Sequence, residues 1–326
     1  MSGIIQFDRV TKVYQSRQVG VSDLTFSLPS GSTVGLLGAN GSGKSTAIRL
    51  ALGLITPSAG EIEVFGERMS PSSKQLRQRI GFLSDDPSFP KDLTAISYLQ
   101  FVGRCFGLNN KDLQGRMGTL LRAVGLLDDA GRKIGTYSTG MKTRLGIAAS
   151  LMNDPDLLVW DEPTAGLDPI SRRQTLDLLE QFRGQKTVLL SSHILGDIDR
   201  VCDRLLILNK GQRLFDGSRT DLESLLPQSI LELRISGSCD LFRANMQQRL
   251  DRKDLSLDGN KVRMALTAQE AISEVVGLAL EISRETGTVI EGINSTGRQL
   301  EDAYLKLITE DEFSGFLRAS RKESHE

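Results

Sequence analysis

Residues Gly38-Ala39-Asn40-Gly41-Ser42-Gly43-Lys44-Ser45-Thr46 stand between an apolar run, Thr33–Leu37, and a stretch of helical periodicity over 47–54. A strand, a glycine-rich turn and a helix in that order make a cradle for nucleotide phosphates. Gly38, Gly41 and Gly43 admit backbone conformations closed to other residues, so successive N–H groups can converge on an anion. The helix presents its positive end at the same place. Lys44 supplies a mobile charge for the β and γ phosphates, and Ser45 a hydroxyl for Mg²⁺. Asn40, Ser42 and Thr46 add polar groups around the turn.

Outward from this turn, apolar and polar residues alternate over 4–14 and 21–28, as in strands half buried against something larger. Residues 61–64 and 80–83 read as a further strand pair. Helical periodicity over 93–106, 113–121 and 140–152, broken by Gly and Asn, marks a helical insert. A strand over 157–160, a helix around 172–182, and strands over 187–191 and 204–209 complete a mostly parallel α/β core. Beyond residue 215 the pattern changes. A strand over 229–235, a helix over 241–250, a strand pair (255–257 and 262–266) around Asp258-Gly259-Asn260, a helix over 271–284 and a strand over 288–293 form a βαββαβ, ferredoxin-like order. A last amphipathic helix is expected over 299–309.

A chain of 326 residues exceeds the size at which a single core stops growing, about 250 to 300 residues. The expected division is a nucleotide-binding domain over 1–217 with a helical subdomain at about 87–152, a linker over 218–228, and an accessory α+β domain over 229–326. Lys plus Arg number 40 against 41 Asp plus Glu, so bulk charge draws the chain to neither nucleic acid nor anionic lipid. Cys105, Cys202 and Cys239 lack the spacing of a metal site or disulfide framework. The first residues lack the features of a signal peptide, and no run of about 18 apolar residues occurs. The expectation is a cytoplasmic chain whose role at a membrane comes through a partner.

Leu157-Leu158-Val159-Trp160-Asp161-Glu162 is an apolar strand ending in two adjacent acids. Beside a phosphate cradle, Asp161 would hold Mg²⁺ through its outer shell, and Glu162 would orient and deprotonate an attacking water. Five further segments fit around these: Tyr14; Ser84-Asp85-Asp86; Tyr137-Ser138-Thr139-Gly140-Met141; Ala165-Gly166-Leu167-Asp168; and His193 behind the strand over 187–191. In content and order they resemble the nucleotide-binding subunit of an ATP-binding-cassette (ABC) transporter of exporter type.

The resemblance implies an α/β P-loop NTPase cassette with an antiparallel β subdomain and a helical subdomain, binding ATP and Mg²⁺. It assigns catalysis to Lys44, Glu162 and His193, adenine stacking to Tyr14, and the metal to Ser45, Asp85 and Asp161. It also assigns Ser138 and Gly140 to the γ-phosphate held by an opposite subunit. Ser138 reads equally as a helix N-cap, and Tyr14 as a core residue. Asp85 stands where the family usually has glutamine. A carboxylate can ligate Mg²⁺ but adds charge and cannot donate a hydrogen bond when ionised. With one cassette and no membrane span, the implied assembly is a homodimer or a pair with a related cassette. It would sit on the cytoplasmic face of integral membrane permease subunits, docked through the insert from 87 to about 135. The competing reading is a soluble cassette ATPase acting on ribosomes or DNA. The single cassette, the short stretch over 85–138 and the balanced charge argue against it, so no nucleic acid partner is expected.

Overall fold

Two opening strands, β1 (Ile5–Val13) and β2 (Val19–Leu28), pair antiparallel and send Val21, Leu24, Phe26 and Leu28 inward while the intervening residues are partly or fully exposed. Phe7 and Phe26, opposite each other in the register, stack with ring centroids 4.5 Å apart. The next strand, β3 (Thr33–Leu37), is buried at every position and delivers the chain to α1 (Lys44–Ala51). Strands β4 (Ala59–Val64) and β5 (Glu67–Arg68) return to the antiparallel sheet, in the order β2-β1-β4-β5.

After a single-turn helix, α2 (Lys74–Arg77), strand β6 (Ile80–Leu83) leaves that sheet and runs parallel to a later one. The strand pair expected from 61–64 and 80–83 therefore does not form. Only Ile62 and Val64 of β4 are buried, as in a one-faced antiparallel strand, whereas Ile80, Gly81 and Leu83 of β6 are buried on both faces.

The helical insert contains α3 (Ala95–Cys105), α4 (Asn110–Ala123) and α5 (Thr139–Ser150). Each begins at a side chain that accepts backbone N–H groups left free in the first turn: Thr94, Asn109 and Ser138. Five elements then alternate: β7 (Leu157–Asp161), α6 (Pro169–Phe182), β8 (Thr187–Ser192), α7 (Leu195–Val201) and β9 (Arg204–Asn209). They are followed by β10 (Gln212–Ser218), which folds back antiparallel on β9. The second sheet has the order β10-β9-β3-β8-β7-β6, parallel except for β10. Sequence patterning missed α7, which is two turns long, and β10, whose residues are mostly polar and, Gly217 apart, at best half buried. At the centre lies Trp160, fully buried, its indole N–H donating to Ser150 Oγ at 3.1 Å.

The structure describes residues 3–15, 17–224, 230–252, 255–266, 272–296, 300, 303–309 and 311 of this computed structural model. The chain divides into two compact units, Met1–Arg219 and Thr220–Glu326, with the short helix α8 (Arg219–Glu223) at the boundary. The second unit carries β11 (Ile230–Ser236), α9 (Cys239–Arg249), β12 (Ser256–Asp258), β13 (Lys261–Ala265), α10 (Ile272–Thr286) and β14 (Val289–Thr296). Its sheet, ordered β12-β13-β11-β14 and antiparallel throughout, has the ferredoxin-like arrangement expected. Leu231, Leu233, Phe242, Met246, Val262, Val275 and Ile282 form its core. Of the expected final helix, residues 303–309 are helical, while 299, 301 and 302 lie outside the described residues, as does Ser229.

Asn109 accepts hydrogen bonds from Lys111 N (3.1 Å) and Asp112 N (3.0 Å), so Asn109→Ala is expected to destabilise the first unit by about 1 kcal/mol. The chain's one tryptophan lies in that unit, and its fluorescence in a urea titration reads the shift directly.

Candidate functional site

The site is set by the register of the parallel sheet. Leu37 at the end of β3 lies beside Ser192 at the end of β8, Asp161 at the end of β7 lies beside Ser191, and Leu83 at the end of β6 lies beside Trp160. Four neighbouring strands thus release their loops along one edge: the glycine-rich turn from β3, His193 from β8, Asp161-Glu162 from β7 and Asp85 from β6. Ligands of open α/β sheets bind beyond the carboxyl ends of the strands.

The glycine-rich turn owes its path to Gly43, which has φ +107 and whose missing side chain would meet the Gly20 carbonyl oxygen at 2.5 Å. Lys44 is buried and donates to the carbonyls of Gly38 (2.7 Å) and Ala39 (3.4 Å), which folds its ammonium back under the turn. Ser42 is also buried, and its hydroxyl has no partner within the protein. A cleft of about 290 Å³ opens beside the turn, lined by Ala39, Asn40, Gly41, Gly43, Lys44, Ser45 and Thr46 from the turn and helix and by Tyr14 from the end of β1. The Tyr14 hydroxyl lies 3.2 Å from Thr46 Oγ1, which holds the ring at the cleft wall. Sequence reading missed Gln18, Val19, Gly20 and Arg49 in the same wall. Arg49 was findable, four residues beyond Ser45 on one helical face.

Three acids approach each other at the far end. Asp161 is buried, and burial pushes its carboxyl above the usual aspartate range; the charges of Asp85 and Glu162 push the same way, against hydrogen bonds from Ser191 and Ser45. Glu162 has φ +50, a left-handed conformation unfavourable for a side-chain-bearing residue. Its N–H is held by both Ser191 O (3.2 Å) and Ser191 Oγ (2.9 Å), which over-determines that turn. The Glu162 carboxylate consequently lies 3.9 Å from Lys44 Nζ and 2.7 Å from His193 Nδ1. A carboxylate only accepts, so the geometry places the imidazole proton on Nδ1.

Ser45, Asp161 and Asp85 offer oxygen donors only, the set a hard divalent cation prefers. Among the described residues no group of three or more His, Cys, Asp or Glu could hold a metal by itself. The oxygen-only donor set fits a magnesium ion that takes the rest of its shell from phosphate and water. Asp85, on an exposed loop, accepts from Ser84 Oγ and from the backbone N–H of Asp86, each at 3.0 Å.

Ser138 and Gly140 are not in the Lys44 cleft. Ser138 caps α5 by accepting from Met141 N at 3.2 Å, and a side chain at Gly140 would meet only Leu167, at 3.4 Å. The N-cap role of Ser138 was one of its two sequence readings. Asp168 caps α6 in the same manner, accepting from Ile170 N and Ser171 N at 3.0 Å. No helix among the described residues is long and apolar enough to cross a membrane.

The model of the family described as ABC transporter matches residues 21–165. The chain is 32% identical to the linearmycin resistance ATP-binding protein LnrL of Bacillus subtilis (strain 168), over 92% of this chain and 100% of that protein. It is 39% identical to the bacitracin transport ATP-binding protein BcrA of Bacillus licheniformis, over 66% of this chain and 69% of that one. A solved ATP-binding subunit of an ABC transporter superposes with a TM-score of 0.63 at 28% identity, covering 68% of this chain and 92% of its own. The sheet order and the phosphate turn define a nucleotide-binding α/β fold. With these likenesses, the chain belongs to the ABC transporter family as an ATP-binding, ATP-hydrolysing subunit.

The raised Asp161 pKa has a testable consequence. The folded protein holds this proton more tightly than the unfolded chain, so stability is lost as pH rises from the ordinary aspartate range through the raised value. Asp161→Asn removes that penalty while keeping an acceptor for Ser191. The nucleotide-free variant is expected to melt above the wild type at neutral pH, the gap closing as pH falls towards about 4. A lower melting temperature at neutral pH would contradict the assignment.

Proposed function

We propose that the cleft beside Gly38–Thr46 holds magnesium-ATP and that two cassettes close on each other around the nucleotide to drive export through separate membrane subunits. The observation that carries this reading is the convergence of Lys44, Glu162 and His193 at the carboxyl edge of one sheet, with Glu162 2.7 Å from His193 and 3.9 Å from Lys44.

In this reading Tyr14 stacks on adenine, and Gly38, Asn40, Gly41, Ser42 and Gly43 present N–H groups and hydroxyls to the phosphates. Lys44 exchanges the carbonyls of Gly38 and Ala39 for the β and γ phosphates. Ser45 and Asp161 hold Mg²⁺, with Asp85 at its edge; the ion, when bound, offsets charge on the transferring phosphoryl group. Glu162 takes the proton of the attacking water. While its carboxylate binds the Nδ1 proton of His193, a neutral imidazole has no second proton to offer a phosphate. In this reading His193 leaves Glu162 when the γ-phosphate arrives, which frees the base at the moment its substrate is present. Ser138 and Gly140 lie away from the cleft, as residues serving the nucleotide of a second cassette would.

The division of labour follows: a nucleotide-binding domain over 1–217 and an accessory domain beyond the linker at 218–228. The export direction is supported by a relative named for Nod factor export. The membrane partner docks on the helical insert, at the cytoplasmic face. There α3 leaves Phe101 60% and Ile96 42% exposed, apolar area an isolated subunit gains nothing by showing to water.

Glu162→Gln is expected to keep ATP affinity, to slow phosphate release by at least about 100-fold, and to accumulate an ATP-bound dimer on size-exclusion chromatography. Unchanged phosphate release would remove Glu162 from its role. Phe101→Glu is expected to leave ATPase activity in solution intact while abolishing co-purification of an integral membrane protein from detergent-solubilised membranes. Recovery of ribosomes or DNA alone by the wild type would overturn the transport reading.

A further inference from the structure

The contact between Glu162 and His193 is the exposed end of a double link. The other end is buried. Asp197 lies within α7, four residues beyond His193, and is 1% exposed despite carrying a carboxyl group. Its Oδ2 accepts from Thr164 Oγ1 at 2.6 Å, and Thr164 lies two residues beyond Glu162 and is itself buried. Its Oδ1 accepts from Arg172 Nε at 2.8 Å and from the adjoining guanidinium nitrogen at 2.7 Å. Arg172 sits in the first turn of α6, where its N–H bonds the Asp168 carbonyl at 2.9 Å.

One carboxylate therefore joins three segments: the loop over 162–168, the start of α6 and the helix behind His193. Short backbone turns stiffen each arm. Ala165 N–H bonds the Glu162 carbonyl at 3.1 Å, Asp197 N–H bonds the Ile194 carbonyl at 3.1 Å, and Ile194 N–H bonds Ser192 Oγ at 3.0 Å. Apolar residues of similar volume would fill this space at no smaller gain in stability, because desolvating a carboxylate offsets most of what its pairing returns. A charge held by fixed donors adds direction instead: it sets the spacing and orientation of the elements that carry those donors.

We propose that Asp197 is a positioning residue for ATP hydrolysis, its buried carboxylate fixing the loop that carries Glu162 to the helix that follows His193 and, through Arg172, linking both to the Asp168 loop. This rests on the reading that Glu162 and His193 serve the γ-phosphate. The clamp lets the exposed contact open and close while the two loops keep their separation.

The test is steady-state ATPase kinetics of the full-length protein. Thr164→Val is nearly isosteric and removes one arm while leaving Asp197 paired with Arg172, so no buried charge is orphaned. Its kcat is expected to fall about tenfold or more, as for a small misplacement of reacting groups, with the KM for ATP within about twofold. Thr164→Ser restores the hydroxyl and is expected to restore kcat. Arg172→Gln removes the other arm from its more exposed side and is expected to show the same selective loss of kcat. A wild-type protein without ATPase activity would sink the functional reading itself. An active wild type whose folded Thr164→Val and Arg172→Gln variants keep kcat, or lose kcat and affinity together without rescue by serine, would overturn this inference alone.

Discussion

Everything at this site depends on collecting charge at one edge of a parallel sheet. Strands β3, β8, β7 and β6 run in the same direction with their ends in register, so the phosphate turn, His193, Asp161-Glu162 and Asp85 all leave the sheet at the same level. The apolar bodies of those strands, buried almost throughout, hold that edge in place. Burying a large aliphatic side chain contributes about 1.5 to 3 kcal/mol, which lets the strand ends carry features that are locally unfavourable. They include a buried lysine, a buried aspartate with a raised pKa and a glutamate in a left-handed turn.

These features share one physical cause. A polar edge with little access to water leaves its groups dependent on each other and on whatever binds there. Lys44 uses the carbonyls of its own loop, Glu162 uses Ser191 and His193, and the Ser42 hydroxyl has no protein partner. An anion accompanied by a divalent cation would satisfy the turn's N–H groups and the acids' oxygens together. The unfavourable local choices lie at the cleft rather than in the strands, as expected where function and folding make opposing demands.

The second unit has a different logic. Its βαββαβ order closes into an antiparallel sheet covered by α9 and α10 over an apolar core. Its outward-facing charges, such as Glu232 between Lys261 and Arg263, pair across neighbouring strands. That is the pattern of a solvated sheet face.

The sequence by itself determined whatever depends on near neighbours. The phosphate turn, the strand ending in Asp161-Glu162, the three helices of the insert and the ferredoxin-like order are all written in local spacing, because turn chemistry, caps and periodicity act within a few residues. Tertiary structure decided what depends on sheet order. It sent residues 61–64 and 80–83 to different sheets, a choice that similar short apolar runs do not encode. It put Gln18 and Val19 in the wall of the cleft and joined Thr164, Arg172 and Asp197 through one buried carboxylate. Those three carry no motif, since hydrogen bonds between residues up to 33 positions apart have no period to reveal them. Only the register of parallel strands, fixed by packing across the whole core, brings them within reach.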